Sequence, residues 1–497
     1  MRAIAALLAI ALIAAAPATP APNPLANVPK DAVTHHTIAL SGGRLSYTAR
    51  AGTIVLRNAD EKPQATMFYT AYTVDGAGNR PVTFFYNGGP GSATLWLRMG
   101  SFGPVRVQTG NGVMTAGAPF VLAENRFSLL DASDLVFVDM PASGFGRILP
   151  GGDAKKIFGS DNDVRAFSQF VKRWLTANGR WNSKHVLFGE SYGTPRTAML
   201  ANSLQSDGVG VDGVVLQSSI LNDALASSET YGGADTDDWQ YVFALPTMAA
   251  SAYYYKAVPG APPTLAAYMK EVQAFAMGEY RQALNQGSGL SPQRFDSIVA
   301  KLHRYTGLSE TYLRNSDLRV TSQHFLAEFR RSRAQRIGAY DARYRLFDLD
   351  PESEYGQLEP SDASIDVAYL TTTNDYLRRT LGYKTNLEYL TGAYGAIQAA
   401  GGWDFTHNGG LPLNSAPDLA QAMTYNPNLK VFSANGWYDS VTPFAATVYT
   451  LDHLGIQKPL MNNITYGFYP SGHMIYLNPR ALALFHDDLE RWYKTLR

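Results

Sequence analysis

The sequence has no cysteine among its 497 residues, which excludes a disulfide scaffold, a thiol nucleophile, an iron–sulfur cluster and any zinc site built on thiolates. It also lacks an excess of charge of either sign. Lys and Arg total 42, Asp and Glu total 42, and only 17% of the chain is charged. Such a balance offers no electrostatic footprint for nucleic acid or an anionic membrane, and neither is expected as a main partner. What is present is ordinary globular composition, with 45% hydrophobic residues, 12% aromatics, 44 Gly and 27 Pro, enough to bury a sizeable core. At about 150 residues per domain the length suggests about three domains, or one enzyme core with a large insertion.

The first residues point to export. Met1-Arg2 forms a short positive segment, Ala3 to Ile13 is apolar, and Ala14-Ala15-Ala16 supplies small residues, the layout of a cleaved secretory signal. The apolar run is shorter than the roughly 20 residues a membrane-spanning helix needs, so no membrane anchor is expected in the mature form. The cut is placed after Ala16 or Ala21, and a periplasmic or secreted location follows.

From Leu45 to Asn87, β-rich stretches separated by turn residues read as an antiparallel meander ending in Val82-Thr83-Phe84-Phe85-Tyr86. This last strand delivers the glycine-rich loop Asn87-Gly88-Gly89-Pro90-Gly91. Leu135 to Val138 is a second buried strand. A helix follows, capped by Ser160 or Asn162, with Val164, Phe167, Phe170, Val171, Trp174 and Leu175 on one face. The strand His185 to Phe188 then turns at Gly189-Glu190-Ser191-Tyr192-Gly193 into a helix from about Pro195, and Gly213 to Leu216 is another strand. Strand alternating with helix predicts a parallel sheet with crossover helices.

That rhythm stops near Ile220 and resumes near Leu429, about 200 residues later. The intervening chain reads as mostly helical, with one amphipathic helix over Leu265 to Leu284 and another starting at Ser291-Pro292. Its basic cluster Arg330, Arg331, Arg333 and Arg336 reads as a solvated helix face. Its aromatics Trp239, Tyr241, Tyr253, Tyr254 and Tyr255 read as packing more readily than as pocket lining. Afterwards Lys430 to Ala434 and Asn463 to Phe468 read as strands, and Ala445 to Leu454 and Pro479 to Leu496 as helices. The division expected is a signal at 1–21, a first core segment at 22–220, a helical cap insertion at 221–415 and a second core segment at 416–497.

Gly189-Glu190-Ser191-Tyr192-Gly193 fits G-x-S-x-G between a strand and a helix, the setting in which a strained turn exposes a nucleophilic serine. Serine needs a base, and a carboxylate to hold that base in the right tautomer. In this chain order the base is the last of the three, and of His453, His473 and His486 only His473 lies in a turn after a strand. Asp439, in the loop after the preceding strand, is the expected orienting acid. The oxyanion donors are expected from Tyr192 and from the Gly88-Gly89 loop. The triad and its oxyanion hole need no cofactor, and no metal-ligand spacing is present.

Together, Asn87-Gly88-Gly89-Pro90-Gly91-Ser92, Gly189-Glu190-Ser191-Tyr192-Gly193 and Gly472-His473-Met474 resemble the serine carboxypeptidases, peptidase family S10 of the α/β-hydrolases. Phe102-Gly103-Pro104, Asp139-Met140-Pro141 through Gly144-Phe145, and Asp439 with Val441-Thr442-Pro443 match the same pattern. The resemblance implies an α/β-hydrolase fold: a mostly parallel sheet with an antiparallel N-terminal meander and a largely helical cap. It implies a serine carboxypeptidase acting on peptides with a free C-terminus through Ser191, Asp439 and His473, with Gly89 and Tyr192 as oxyanion hole. It further implies that Asn87, Gly88 and Glu190 hold the substrate carboxylate. A glutamate must be protonated to accept a carboxylate partner, which favours acidic pH. The family's second glutamate is replaced here by Ser101, which weakens that expectation. An esterase or acyltransferase with the same triad, and an inert binding protein of the same fold, are the competing readings.

Overall fold

The computed structural model describes residues 23–226 and 238–496. The expected signal at 1–21 lies outside the described residues. Among the described residues nine strands form one sheet: β1 (Ala32–Leu40), β2 (Gly43–Arg57), β3 (Pro63–Val74), β4 (Val82–Tyr86), β7 (Asp134–Val138), β8 (His185–Glu190), β9 (Gly213–Gln217), β12 (Lys430–Gly436) and β13 (Ile464–Tyr469). Two small antiparallel pairs lie apart from it, β5 (Val105–Val107) with β6 (Leu122–Glu124) and β10 (Gln335–Ile337) with β11 (Arg345–Phe347). The sheet order is β1-β2-β3-β7-β4-β8-β9-β12-β13. β1, β2 and β3 pair antiparallel and β3 runs antiparallel to β7. From β7 through β13 every pairing is parallel. This is the fold class expected from the sequence.

The central strands β4, β7, β8 and β9 are buried along their whole length, as expected of parallel strands covered on both faces. After the short helix α1 (Leu95–Gly100), helices α2 (Ser160–Asn178) and α3 (Gly193–Ser206) lie on one face with the helix Ala416–Tyr425. The other face carries the closing helix Pro479–Tyr493 and residues of the helix Pro360–Asp375. A third cluster is built mainly from helices between β9 and β12, with Tyr438 and Phe444 joining it. Among the described residues no helix is long and apolar enough to cross a membrane.

Four local expectations are corrected. β4 does not close the meander: β7 inserts between β3 and β4, so β4 opens the parallel part. β1 was absent from the sequence reading. The cap of α2 is Gly159, and Ser160 is already helical; its hydroxyl is engaged instead with the Asp404 carbonyl at 3.3 Å and the Tyr192 hydroxyl at 3.2 Å. The basic cluster is not a helix face. Arg331 sits in a 3-10 turn paired with Glu328 at 2.6 Å and Glu354 at 2.9 Å, and Arg336 is buried on β10 against Asp348 at 2.9 Å. The helix expected over Leu265 to Leu284 runs through, with a π turn at Ala276–Tyr280.

Candidate active site

The strand ends gather the predicted residues at one edge of the sheet. β8 ends at Glu190 and α3 begins at Gly193, leaving Ser191 in a left-handed conformation with φ 60°. A non-glycine residue there is strained, and strain of this kind persists only where the surroundings fix it. Here the Ser191 amide donates to the Gln217 carbonyl at 3.1 Å, extending the β8–β9 ladder, and its own carbonyl accepts from the Thr194 amide at 2.8 Å. Gly189 has no room for a side chain, since a Cβ would stand 2.0 Å from the Gly193 carbonyl oxygen.

The glycine-rich loop after β4 packs directly on this turn. A Cβ on Gly88 would lie 2.4 Å from the Tyr192 amide nitrogen, so only glycine lets the loop approach the donor expected in the oxyanion hole. Gly89, next along, is exposed. The loop is held from the far side by residues that carried no sequence signal. The Ala93 amide donates to the Thr391 carbonyl and the Ala393 amide to the Gly91 carbonyl, both at 2.8 Å, and the Ser92 and Tyr394 hydroxyls meet at 2.7 Å.

Asp439 follows β12 and His473 follows β13, neighbouring strands in parallel register. The structure brings their side chains together, with His473 Nδ1 at 2.8 Å from Asp439 Oδ2. Asp439 is itself fixed: Oδ1 accepts from the Val441 and Thr442 amides at 3.0 Å, and Oδ2 from the Thr442 hydroxyl at 2.6 Å. Burial works against the His473 imidazolium, but the Asp439 charge and hydrogen bond outweigh it, and the pKa is raised. The His473 backbone is clamped as well, its amide donating to the Tyr340 carbonyl at 2.6 Å and its carbonyl accepting from the Ser218 hydroxyl at 2.7 Å. The other two histidines sit elsewhere: His453 is exposed on the Tyr449 ring, and His486 pairs with Asp131 at 3.0 Å.

Glu190 is buried beside Ser191. Its Oε1 accepts from Asn87 Nδ2 at 2.6 Å and from the Tyr476 hydroxyl at 3.3 Å, and its Oε2 accepts from Gln217 Nε2 at 2.6 Å. Burial dominates and pushes the carboxyl up to about 7, although His473 pulls the other way. Ser101 takes no part in these bonds; its hydroxyl donates to the Leu97 carbonyl of its own helix at 2.6 Å. Gln217 and Tyr476 were missed by the sequence reading, since neither belongs to a motif. Among the described residues no group of three or more His, Asp or Glu side chains is placed to hold a metal ion.

Buried ion pairs support the site from behind. Arg196 Nε binds Asp163 Oδ2 at 2.6 Å and Arg196 Nη1 donates to the Asn87 carbonyl at 2.8 Å, tying α2, α3 and the loop after β4. Asp341 binds Arg343 and accepts from the Gly472 amide at 3.1 Å, bracing the turn before His473.

Comparison with known proteins adds to this geometry. A family model described as serine carboxypeptidase, peptidase S10, matches residues 45–241. Among curated proteins no relative is found by sequence. Among solved structures, the prohormone-processing carboxypeptidase Kex1 of Saccharomyces cerevisiae aligns with TM-score 0.52 and 15% identity, over 90% of this chain and 91% of that one. A proline iminopeptidase from Mycobacterium smegmatis covers 93% of this chain and 100% of its own at 13% identity and TM-score 0.34. The chain is thus an α/β-hydrolase fold whose resemblance to the serine carboxypeptidase family holds over residues 45–241, and family and fold together support a hydrolase.

Proposed function

We propose that the protein is an exported serine carboxypeptidase that removes C-terminal residues from peptides through an acyl-enzyme. The observation that carries the reading is Glu190, a buried carboxyl with pKa near 7 set one residue before the strained Ser191 and within 2.6 Å of the Asn87 amide. A carboxyl that is readily neutral can donate to a substrate carboxylate, where an ionised one would repel it.

In this reading Ser191 Oγ attacks the scissile carbonyl carbon and its proton passes to His473 Nε2, while Asp439 on Nδ1 stabilises the imidazolium. The oxyanion is received by the Tyr192 and Gly89 amides. His473 returns the proton to the leaving amine, and water then releases the acyl group with His473 as base. Asn87, Gly88 and protonated Glu190 hold the terminal carboxylate, placing the last peptide bond at Ser191. Glu190 must be protonated, so kcat/KM for peptides declines as pH rises through about 7, while the need for a neutral His473, whose pKa is raised, sets the fall on the acid side.

The test is mass spectrometry of a short peptide and its C-terminally amidated twin, incubated with the wild type and Ser191→Ala below and above neutrality. Stepwise loss from the free C-terminus is expected, falling as pH is raised above neutrality, blocked by amidation and absent in Ser191→Ala. Hydrolysis of simple esters without any trimming of the peptide would exclude the carboxypeptidase and leave the esterase reading.

A further inference from the structure

Gln217, the last residue of β9, is fully buried and belongs to no recognised motif. Its side-chain nitrogen faces two oxygens, Glu190 Oε2 at 2.6 Å and the His473 carbonyl at 3.2 Å. The His473 carbonyl can only accept, so the NH2 edge of the amide must point there. The orientation is fixed by chemistry and does not rest on an arbitrary choice between oxygen and nitrogen. Gln217 Oε1 is left buried with no hydrogen-bond partner. An unmet buried acceptor is destabilising, so packing alone gives no reason for an amide here.

We propose that Gln217 is a positioning residue that holds Glu190 in the orientation needed for carboxylate recognition. Asn87 and Tyr476 hold Oε1 of Glu190, and the Gln217 donor alone holds Oε2, so the carboxyl is fixed from both sides only while Gln217 is present. Because the same NH2 group holds the His473 carbonyl, carboxylate recognition and the base are braced through one side chain. The proposal rests on the carboxypeptidase reading.

The charged and titratable groups facing Glu190 are His473 and Asp439 after β13 and β12, Tyr476 beyond His473, and Tyr369 on the helix Pro360–Asp375. None of them contacts Oε2. Changes at residue 217 therefore act on that oxygen without replacing another charge.

The experiment measures binding of an N-acetylated dipeptide and of its C-terminal amide by calorimetry, below and above neutrality. It uses Ser191→Ala as parent and the same protein with Gln217→Met or Gln217→Glu. The parent should favour the free acid below neutrality and lose that preference above it. Gln217→Met should reduce the acid-over-amide preference about tenfold. Gln217→Glu, which is isosteric and safeguards the test should the Met variant fail to fold, sets a second carboxyl against Glu190. Two such groups share a proton, so the preference should survive only at lower pH. Folded variants with the parent's preference at both pH values would overturn the role of Gln217 while leaving the carboxypeptidase reading standing. A parent that never distinguishes acid from amide would overturn both.

Discussion

Glu190 shows how one buried group links stability to pH. Its carboxyl moves from an ordinary 4.5 to about 7 in the fold, chiefly through burial. Between those values the folded state holds more protons than the unfolded one, so this group's contribution to stability falls as pH rises from 4.5 through 7. The difference corresponds to about 3 kcal/mol as an order of magnitude. Glu190→Gln, which stays neutral, should therefore lose less stability than the wild type between pH 4 and pH 8, by up to about that amount. Denaturant unfolding at the two pH values reads it directly, and parallel losses in both proteins would contradict the assignment of burial as cause. Glu190 itself was legible because it lies inside G-x-S-x-G. Of its partners Asn87 was legible too, but Gln217 and Tyr476 were not, because Gln217 is 27 residues away and Tyr476 286, and only the fold brings them together.

At the scale of elements, the turn from β8 into α3 was the most legible part of the chain, since the apolar run Val186-Leu187-Phe188, two glycines and a helix fall in close succession. Edge and insertion elements were harder. β1 buries only Ile38 and Leu40 among its nine residues, too weak an apolar signal to mark a strand. The place of β4 beside β7 is a matter of topology that local pattern does not encode. The ion pair Arg196–Asp163, which joins α3 to α2, was equally hidden. Both side chains are fully buried at 2.6 Å, and Arg196 also lies over the Phe167 ring, 4.3 Å from its centroid. Removing one member of such a pair strands the other charge and typically costs about 3–5 kcal/mol, whereas apolar replacement of both is far milder. Asp163→Leu should therefore destabilise by that order, and the double variant Asp163→Leu with Arg196→Met should recover part of the loss. Additive losses in a double-mutant cycle would show that the two helices are not coupled through this pair.

The whole molecule has a sheet whose parallel part delivers Asn87, Ser191, Asp439 and His473 from the ends of β4, β8, β12 and β13, and whose remote segments must be tied back to that edge. His407 makes one such tie. Its Nε2 meets Asp418 at 2.8 Å on the helix Ala416–Tyr425 and its Nδ1 meets Asp161 at 2.6 Å on α2. The same segment sends Trp403 and Phe405 edge-on to the Tyr192 ring, with centroids 5.4 Å and 6.2 Å away. The Asp418 hydrogen bond leads in lifting the imidazole from 6.5 to about 9, with burial opposing and Asp161 assisting. A histidine raised in the fold contributes stability fully below its unfolded pKa and loses it as pH climbs through the folded one. The tie is therefore complete below pH 6.5 and released as pH passes about 9. His407→Gln should lower the melting temperature at pH 6 and converge on the wild type above pH 9, since by then the wild type has lost the same charge. A melting-temperature difference that stays constant across that interval would mean that the segment is held by the packing of Trp403 and Phe405 and not by the charged imidazole.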